Sequence, residues 1–441
     1  MTDARSARAA AGTGTAAGAA AGAAARSTAS AAARIAAFKD DHLGMFIHWG
    51  PYSTRSIEAS WPLFRGTVPW ADYESMADRF NPVKYDPVAW AKLARDAGSR
   101  YMVLTTKHHD GYALWDTQLS DYSSIHCRAH RDLVTPYVEA CRAAGMKVGF
   151  YFSLCDWHHP DYPFQLSEDR HVRAESSYTP GSPRTIADDP ARWARYLDFM
   201  HGQVRELLTN FGQVDLLWFD GHWEHTPEEW KTAELEQMIH ELQPQCVVNN
   251  RIGSDDYADY VTPEQHVPVS PPAYAWETCL SINETWAYNA HDRAYKSSIE
   301  LIATLAEVTS KGGNLLLNVG PTPHGEIAPE LASRWIVLAE WMKGNHESIF
   351  DAGPGLPPGS FYGPSTGNDR AIYLFLLGPV NGDVVRVRGL SGKVLGATIL
   401  STGQSLEMDH HGGELEGGLL RVTVPSRLID PLVTVVKLTL S

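Results

Sequence analysis

Five short apolar runs in this chain end in side chains able to bind, donate protons or attack. Gly44–Trp49 carries His48 at its end. Tyr101–Thr106 leads into Lys107, His108, His109 and Asp110. Lys147–Ser153 holds Tyr151 and runs on to Asp156, Trp157, His158 and His159. Val214–Phe219 contains Trp218 and is followed by Asp220 and Gly221. Cys246–Asn250 is followed by Arg251. Asp220 is the strongest single candidate for chemistry. It closes an apolar run, and the glycine after it lets the chain turn sharply, which places a carboxylate at the floor of a pocket. Capping of a following helix is the bland use of such an Asp, but the next helical pattern starts only near Pro227. A carboxylate so placed suits hydrolysis of a glycosidic bond, which needs a second carboxyl group as acid and base. The Pro- and aromatic-rich stretch Tyr257–Tyr288, read as one long loop over the pocket mouth, offers two: Glu264 in TPEQ and Glu277 in WET.

The histidines admit a second chemistry. His48, His108, His109 and Asp110 are a set of N and O donors that a divalent metal accepts. Adjacent residues of a strand point to opposite faces, however, and no HExxH or HxH spacing occurs. Imidazoles hydrogen-bonded to sugar hydroxyls account for the same residues without an ion, so neither metal nor organic cofactor is expected. Lys311–Gly312–Gly313–Asn314 lacks the order of a phosphate loop and lies before a strand, as a helix-to-strand turn does.

These side chains need a scaffold that gathers strand ends. With Asn314–Val319, six runs read as strands that are apolar throughout, the mark of strands covered on both faces. Between them lie the amphipathic stretches Pro87–Ala97, Asp132–Ala144, Pro190–Asn210, Pro227–Leu242 and Tyr295–Ser310. Strand and helix alternating over some 300 residues predicts an α/β fold with a (β/α)8-like barrel, whose site forms at the C-terminal strand ends. Boundaries follow from composition. Residues 1–34, rich in Ala and Gly, read as a disordered tail with a helical end near Ala31–Phe38, and 35–350 as the catalytic domain. After the Gly/Pro linker Asp351–Ser360, residues 357–441 read as a small all-β sandwich of short strands.

Composition excludes other classes. Lys and Arg number 37 against 52 Asp and Glu, a net charge of −15, which argues against nucleic acid or an anionic membrane as partner. No apolar run is long enough to span a bilayer and no signal-peptide core is visible. Five widely spaced cysteines without a CxxC fit a reducing compartment, so cytoplasmic residence is expected. Aromatics at 10%, with 14 Trp, suit stacking on sugar rings as well as a bulky core.

In order, GMFIHWGPYS, TTKHHDGYALWDT, GFYFS, LLWFDG, NNR, TPEQ, WETC and SKGGNLLLNVGP resemble the α-L-fucosidases of glycoside hydrolase family 29, over about residues 38–350. The resemblance implies a (β/α)8-like domain followed by a β-sandwich. It implies retaining, exo-acting hydrolysis of terminal α-L-fucose from glycans or glycosides, with no cofactor. By motif match Asp220 takes the nucleophile position and Glu264 the general acid/base position, with Glu277 the alternative. The acid is expected in a dry environment. His48, His108, His109, Tyr151, Trp218 and Arg251 match positions that hold the sugar ring, Trp61 keeps a sugar-contacting position, and Trp286 matches the aromatic beside the sugar methyl. One departure stands out: relatives carry a Glu-Trp pair where this chain has Ser60–Trp61, with Glu58 two residues earlier. The rival readings are another glycosidase specificity (β-galactoside or β-L-arabinoside), a sugar-binding protein that does not cut, and a metal-dependent hydrolase.

Overall fold

Seven parallel strands form the frame: β1 (Leu43–Ile47), β2 (Tyr101–Lys107), β3 (Lys147–Ser153), β4 (Leu216–Asp220), β5 (Val247–Val248), β6 (Glu277–Ser281) and β7 (Asn314–Val319). They come from a computed structural model that describes residues 31–163, 189–378, 380, 383–390, 392–411 and 418–441. The strand order is β5-β4-β3-β2-β1-β7-β6. Every residue in these strands is buried except Lys147, which explains why they read as unbroken apolar runs. The two edge strands do not meet directly. Residues 260–264 run between them, bridging Asn249 to Tyr260 on one side, and Val261 to Trp276 and Glu264 to Cys279 on the other. The ring thus closes with eight staves, one of them a strand only in outline.

Alternation along each stave divides the residues into two cores. Phe46, Tyr101, Val103, Tyr151, Leu216, Trp218, Val247, Tyr260, Cys279 and Leu316 face inward and fill the barrel. Their neighbours face outward and pack under the helices. Helix α1 (Pro87–Asp96) opens with Asp86 accepting the Ala89 N–H. Helices α2 (Val134–Ala143), α3 (Pro190–Asn210), α4 (Thr232–Leu242), α5 (Ser298–Ser310) and α6 (Pro329–Asn345) complete the shell. In α3, Asp189 caps the Arg192 N–H and Pro190 fixes the first turn. Its stripe of Trp193, Tyr196, Leu197, Met200, Val204, Leu207 and Leu208 is buried, each large side chain contributing about 1.5–3 kcal/mol.

The C-terminal part pairs antiparallel strands from Gly353–Pro354 through Thr434–Leu440, in an order that places Thr434–Leu440 between Ala371–Leu376 and Val394–Ile399. Its own core comprises Leu374, Leu376, Val385, Val387, Val422 and Val436 among others. The opposite faces of two of its strands, through Tyr373, Phe375, Val433 and Val435, join the barrel's outer core. The Trp341 indole of α6 donates to the Val433 carbonyl at 2.8 Å, tying the two parts together.

Two expectations change. Tyr257–Tyr288 is not one loop: it contains the stave 260–264 and β6, whose Glu277, Thr278 and Ser281 hide its apolar signal although all are buried. The helical end expected near Ala31–Phe38 is present, and its Arg34 pairs with buried Asp259 at 2.8 Å; residues 1–30 lie outside the described part. Ser365–Asn368 and Ser405–His411 are strands as well, unread in the sequence because polar residues dominate them.

Candidate active site

The inward-facing row on each strand carries on past the barrel core into polar side chains. His48 follows Phe46, Asp220 follows Trp218, and Thr262 and Glu264 follow Tyr260 at two-residue steps. They open on a cavity of about 440 Å3 at the C-terminal end of the barrel. His48, Trp61, His108, Tyr151, Trp218, Asp220, Arg251, Glu264 and Trp286 all line it. The tertiary structure therefore brings together nine of the eleven candidate residues. The other two, His109 and Glu277, sit elsewhere.

Asp220 ends β4 and is 8% exposed. Its Oδ1 accepts from Arg251 Nη1 at 3.1 Å and its Oδ2 from the Tyr151 hydroxyl at 3.0 Å. Burial alone would raise its carboxyl. Arg251, by charge and hydrogen bond, outweighs burial and holds it below the ordinary range. Gly221 then turns left-handed at φ 78°, where an added Cβ would lie 2.6 Å from Cys155 Sγ. Arg251 also reaches Glu264 Oε2 at 2.7 Å with Nη2, and donates through Nε to Thr262 Oγ1 at 3.0 Å. Its guanidinium lies 4.6 Å from the Trp218 ring centre. One planar fork thus spans two carboxylates from different staves. Glu264 is not in a dry place: its side chain is 39% exposed, because the stave that carries it ends at the pocket rim.

Glu277 is the first residue of β6, on the same end of the barrel as Tyr101, the first of β2. Its fully buried carboxylate accepts from the Tyr101 hydroxyl and, at 2.9 Å, from Trp218 Nε1. Burial pushes its carboxyl up to about 7. That value suits a general acid, but the position does not, since the pocket opens at the opposite end. Glu277 is instead a post beneath Trp218.

The imidazoles are neutral. Burial brings His48 and His109 down to about 4 and His108 well below its ordinary value. His48 Nδ1 lies 2.7 Å from Asn318 Oδ1, and Asn318 Nδ2 donates to the Trp286 carbonyl at 2.6 Å. An amide whose NH2 is so engaged offers only its oxygen to His48, which fixes the proton on Nδ1 and leaves Nε2 an acceptor. The Trp286 N–H, in turn, donates to Glu58 at 2.9 Å. Glu58 thus holds the backbone of the loop that places the Trp286 ring 5.0 Å from His48. Ser60 has its Oγ 2.6 Å from His108 Nδ1 and steadies that ring from behind. Tyr151 is sandwiched by His108 and Trp218, with ring centres 5.4 and 5.5 Å away.

Phe46, His222, Trp223, Asn250 and Thr262 also line the cavity and were not singled out in the sequence as site residues. Trp223 stacks on Trp61 with ring centres 6.0 Å apart. Phe46 and Thr262 could have been found from the two-residue step to His48 and Glu264; His222 and Trp223 adjoin Asp220 but lie in a single 3-10 turn, His222–Glu224, too short to leave a periodic signal. Among the described residues, no group of three or more His, Cys, Asp or Glu is arranged to hold a metal ion, and no helix is long and apolar enough to cross a membrane.

The alpha-L-fucosidase family model matches residues 15–347. Tissue alpha-L-fucosidase of Macaca fascicularis is 30% identical over 344 residues, covering 72% of this chain and 69% of the relative. Alpha-L-fucosidase isoenzyme 1 from Paenibacillus thiaminolyticus superposes with a TM-score of 0.83 at 38% identity, covering 93% of this chain and all (100%) of that one. An alpha-L-fucosidase from Bacteroides thetaiotaomicron, solved as a trapped covalent intermediate with 2-fluoro-fucosyl fluoride, superposes with a TM-score of 0.79 at 28% identity, covering 91% and 94%.

Proposed function

Since this chain belongs to the α-L-fucosidase family, we propose that its pocket hydrolyses terminal α-L-fucosides with retention, Asp220 serving as nucleophile and Glu264 as acid and base. The observation that carries the reading is the single Arg251 guanidinium gripping both carboxylates. A shared fork keeps them close, as a retaining pair of carboxyl groups requires. In the first step an Asp220 oxygen bonds to the anomeric carbon as the bond to the leaving oxygen breaks, and Glu264 gives that oxygen its proton. In the second, water attacks the same carbon, its proton passes to Glu264, and the ester to Asp220 breaks.

The surroundings fit this division. Asp220 is held ionised and dry. Glu264 sits at the rim, where a leaving group arrives and departs. Neutral His48 accepts from a sugar hydroxyl, and the faces of Trp286 and Phe46 pack on the apolar side of a 6-deoxy sugar. The free state of all five cysteines supports residence in a reducing compartment.

The test is kinetic. Asp220→Gly loses several orders of magnitude in turnover of 4-nitrophenyl α-L-fucoside and regains part of it with azide. Glu264→Ala is mild with that good leaving group and severe with a poor one. Near-normal turnover by Asp220→Gly, or a trapped 2-fluoro-fucosyl label on another residue, would refute the assignment.

A further inference from the structure

Beside the proposed nucleophile lies a buried polar chain with no part so far. His109 is fully buried and absent from the cavity wall, with Nε2 3.6 Å from Asp220 Oδ2 and without a hydrogen-bond partner. Behind it stands Ser153, the last residue of β3 and the register partner of Asp220. We propose that Ser153 is a positioning residue that locks His109 with its proton on Nδ1, so that a lone pair rather than an N–H faces the nucleophile.

Hydrogen-bond accounting carries this. Ser153 Oγ lies 2.6 Å from the Cys155 carbonyl oxygen. A carbonyl only accepts, so the single hydroxyl hydrogen goes there. The same Oγ lies 2.6 Å from His109 Nδ1. With its hydrogen committed, Oγ accepts, and Nδ1 carries the proton. Cys155 Sγ, 3.3 Å from Nδ1, does not compete for that proton, because burial pushes its thiol well up and keeps it S–H. The Trp157 N–H donates to the His109 carbonyl at 2.8 Å and fixes the residue's backbone. The ring is neutral, so its one proton on Nδ1 leaves Nε2 bare. The unpartnered Nε2 then has a reason: a lone pair pointed at a carboxylate makes no bond.

The consequence rests on Asp220 being the nucleophile. Oδ2 keeps one donor, the Tyr151 hydroxyl, and Oδ1 has Arg251. A further N–H from His109 would stabilise the free carboxylate more than the neutral ester it forms, and so slow attack. The charged and titratable groups facing this pair are Arg251, His222 and Tyr151 around Asp220, and Lys107 and Cys155 around His109.

Long-range 1H–15N NMR of the histidine-labelled full chain tests the tautomer directly, with His109 identified by its loss in His109→Gln. A protonated Nδ1 and an unprotonated Nε2 are expected. In Ser153→Ala the proton moves to Nε2 and bonds Asp220 Oδ2. kcat then falls roughly ten- to hundredfold, the size of one hydrogen bond to a charged group. KM changes little, and the acid limb of kcat/KM moves down by about one unit. Ser153→Thr, which keeps the hydroxyl, restores both. Native His109 protonated at Nε2, or a Ser153→Ala variant with the native tautomer or an unmoved acid limb, would overturn the proposal. Failure of the nucleophile assignment looks different: Asp220→Gly stays active while the native tautomer is as stated.

Discussion

Replacing Arg251 by Met removes the one group that serves both proposed catalytic carboxylates while keeping an apolar stem against Trp218. Asp220 is 8% exposed at the floor of the cavity, so water replaces the lost donor only in part. A hydrogen bond to a charged group contributes about 1.5–3 kcal/mol. At 1.36 kcal/mol per pKa unit that raises the Asp220 carboxyl by about 1–2 units. The acid limb of kcat/KM, followed with 4-nitrophenyl α-L-fucoside, moves up by the same amount, and the loss of activity is steeper at pH 5 than at pH 7. Stability follows the same sign. A carboxyl lowered in the folded state stabilises the fold above its unfolded value, and that contribution disappears as pH falls through the folded value. The melting temperature of Arg251→Met therefore lies below the native one at neutral pH, and the gap narrows below about pH 4. Arg251→Lys supplies one point charge in place of a fork, so it rescues the pH limb or the acid-dependent step, not both. An unmoved acid limb in Arg251→Met would refute the argument that this guanidinium, against burial, keeps Asp220 ionised.

Two further outcomes follow from buried geometry. Gly221→Ala places a methyl group 2.6 Å from Cys155 Sγ at a left-handed φ of 78°. It should lower stability by about 1–2 kcal/mol for the conformation alone, seen in denaturant unfolding, and lower kcat further by displacing Asp220; native-like stability and kcat would contradict the tight turn. Glu277→Gln should keep turnover within a few-fold on good and poor leaving groups alike. Because burial raises the Glu277 carboxyl from 4.5 to about 7, the native fold loses stability as pH rises through that window, and the variant's melting curve should be flatter there. A selective loss on poor leaving groups would make Glu277 the acid after all.

What the sequence determined by itself is what is local. Strands covered on both faces must be apolar throughout, so β1 to β5 and β7 were legible as runs. Helix α3 could be read to its ends because Asp189 and Pro190 announce its start and its apolar stripe repeats at helical spacing. The chemistry at each strand end, Asp220 above all, was legible because a carboxylate or imidazole after a buried run has few structural uses. Three features needed the tertiary structure. The stave 260–264 and β6 carry polar residues that are inward-facing and hydrogen-bonded across the barrel, so no periodic apolar signal marks them. Glu264 and Glu277 lie 13 residues apart and look alike in sequence, yet the ring closure sends one to the rim and the other beneath Trp218. His108 and His109 are neighbours in the chain. Only the packing of β2 against β3 decides that one lines the pocket and the other backs onto Ser153, because what a side chain faces is set by strands more than 40 residues away.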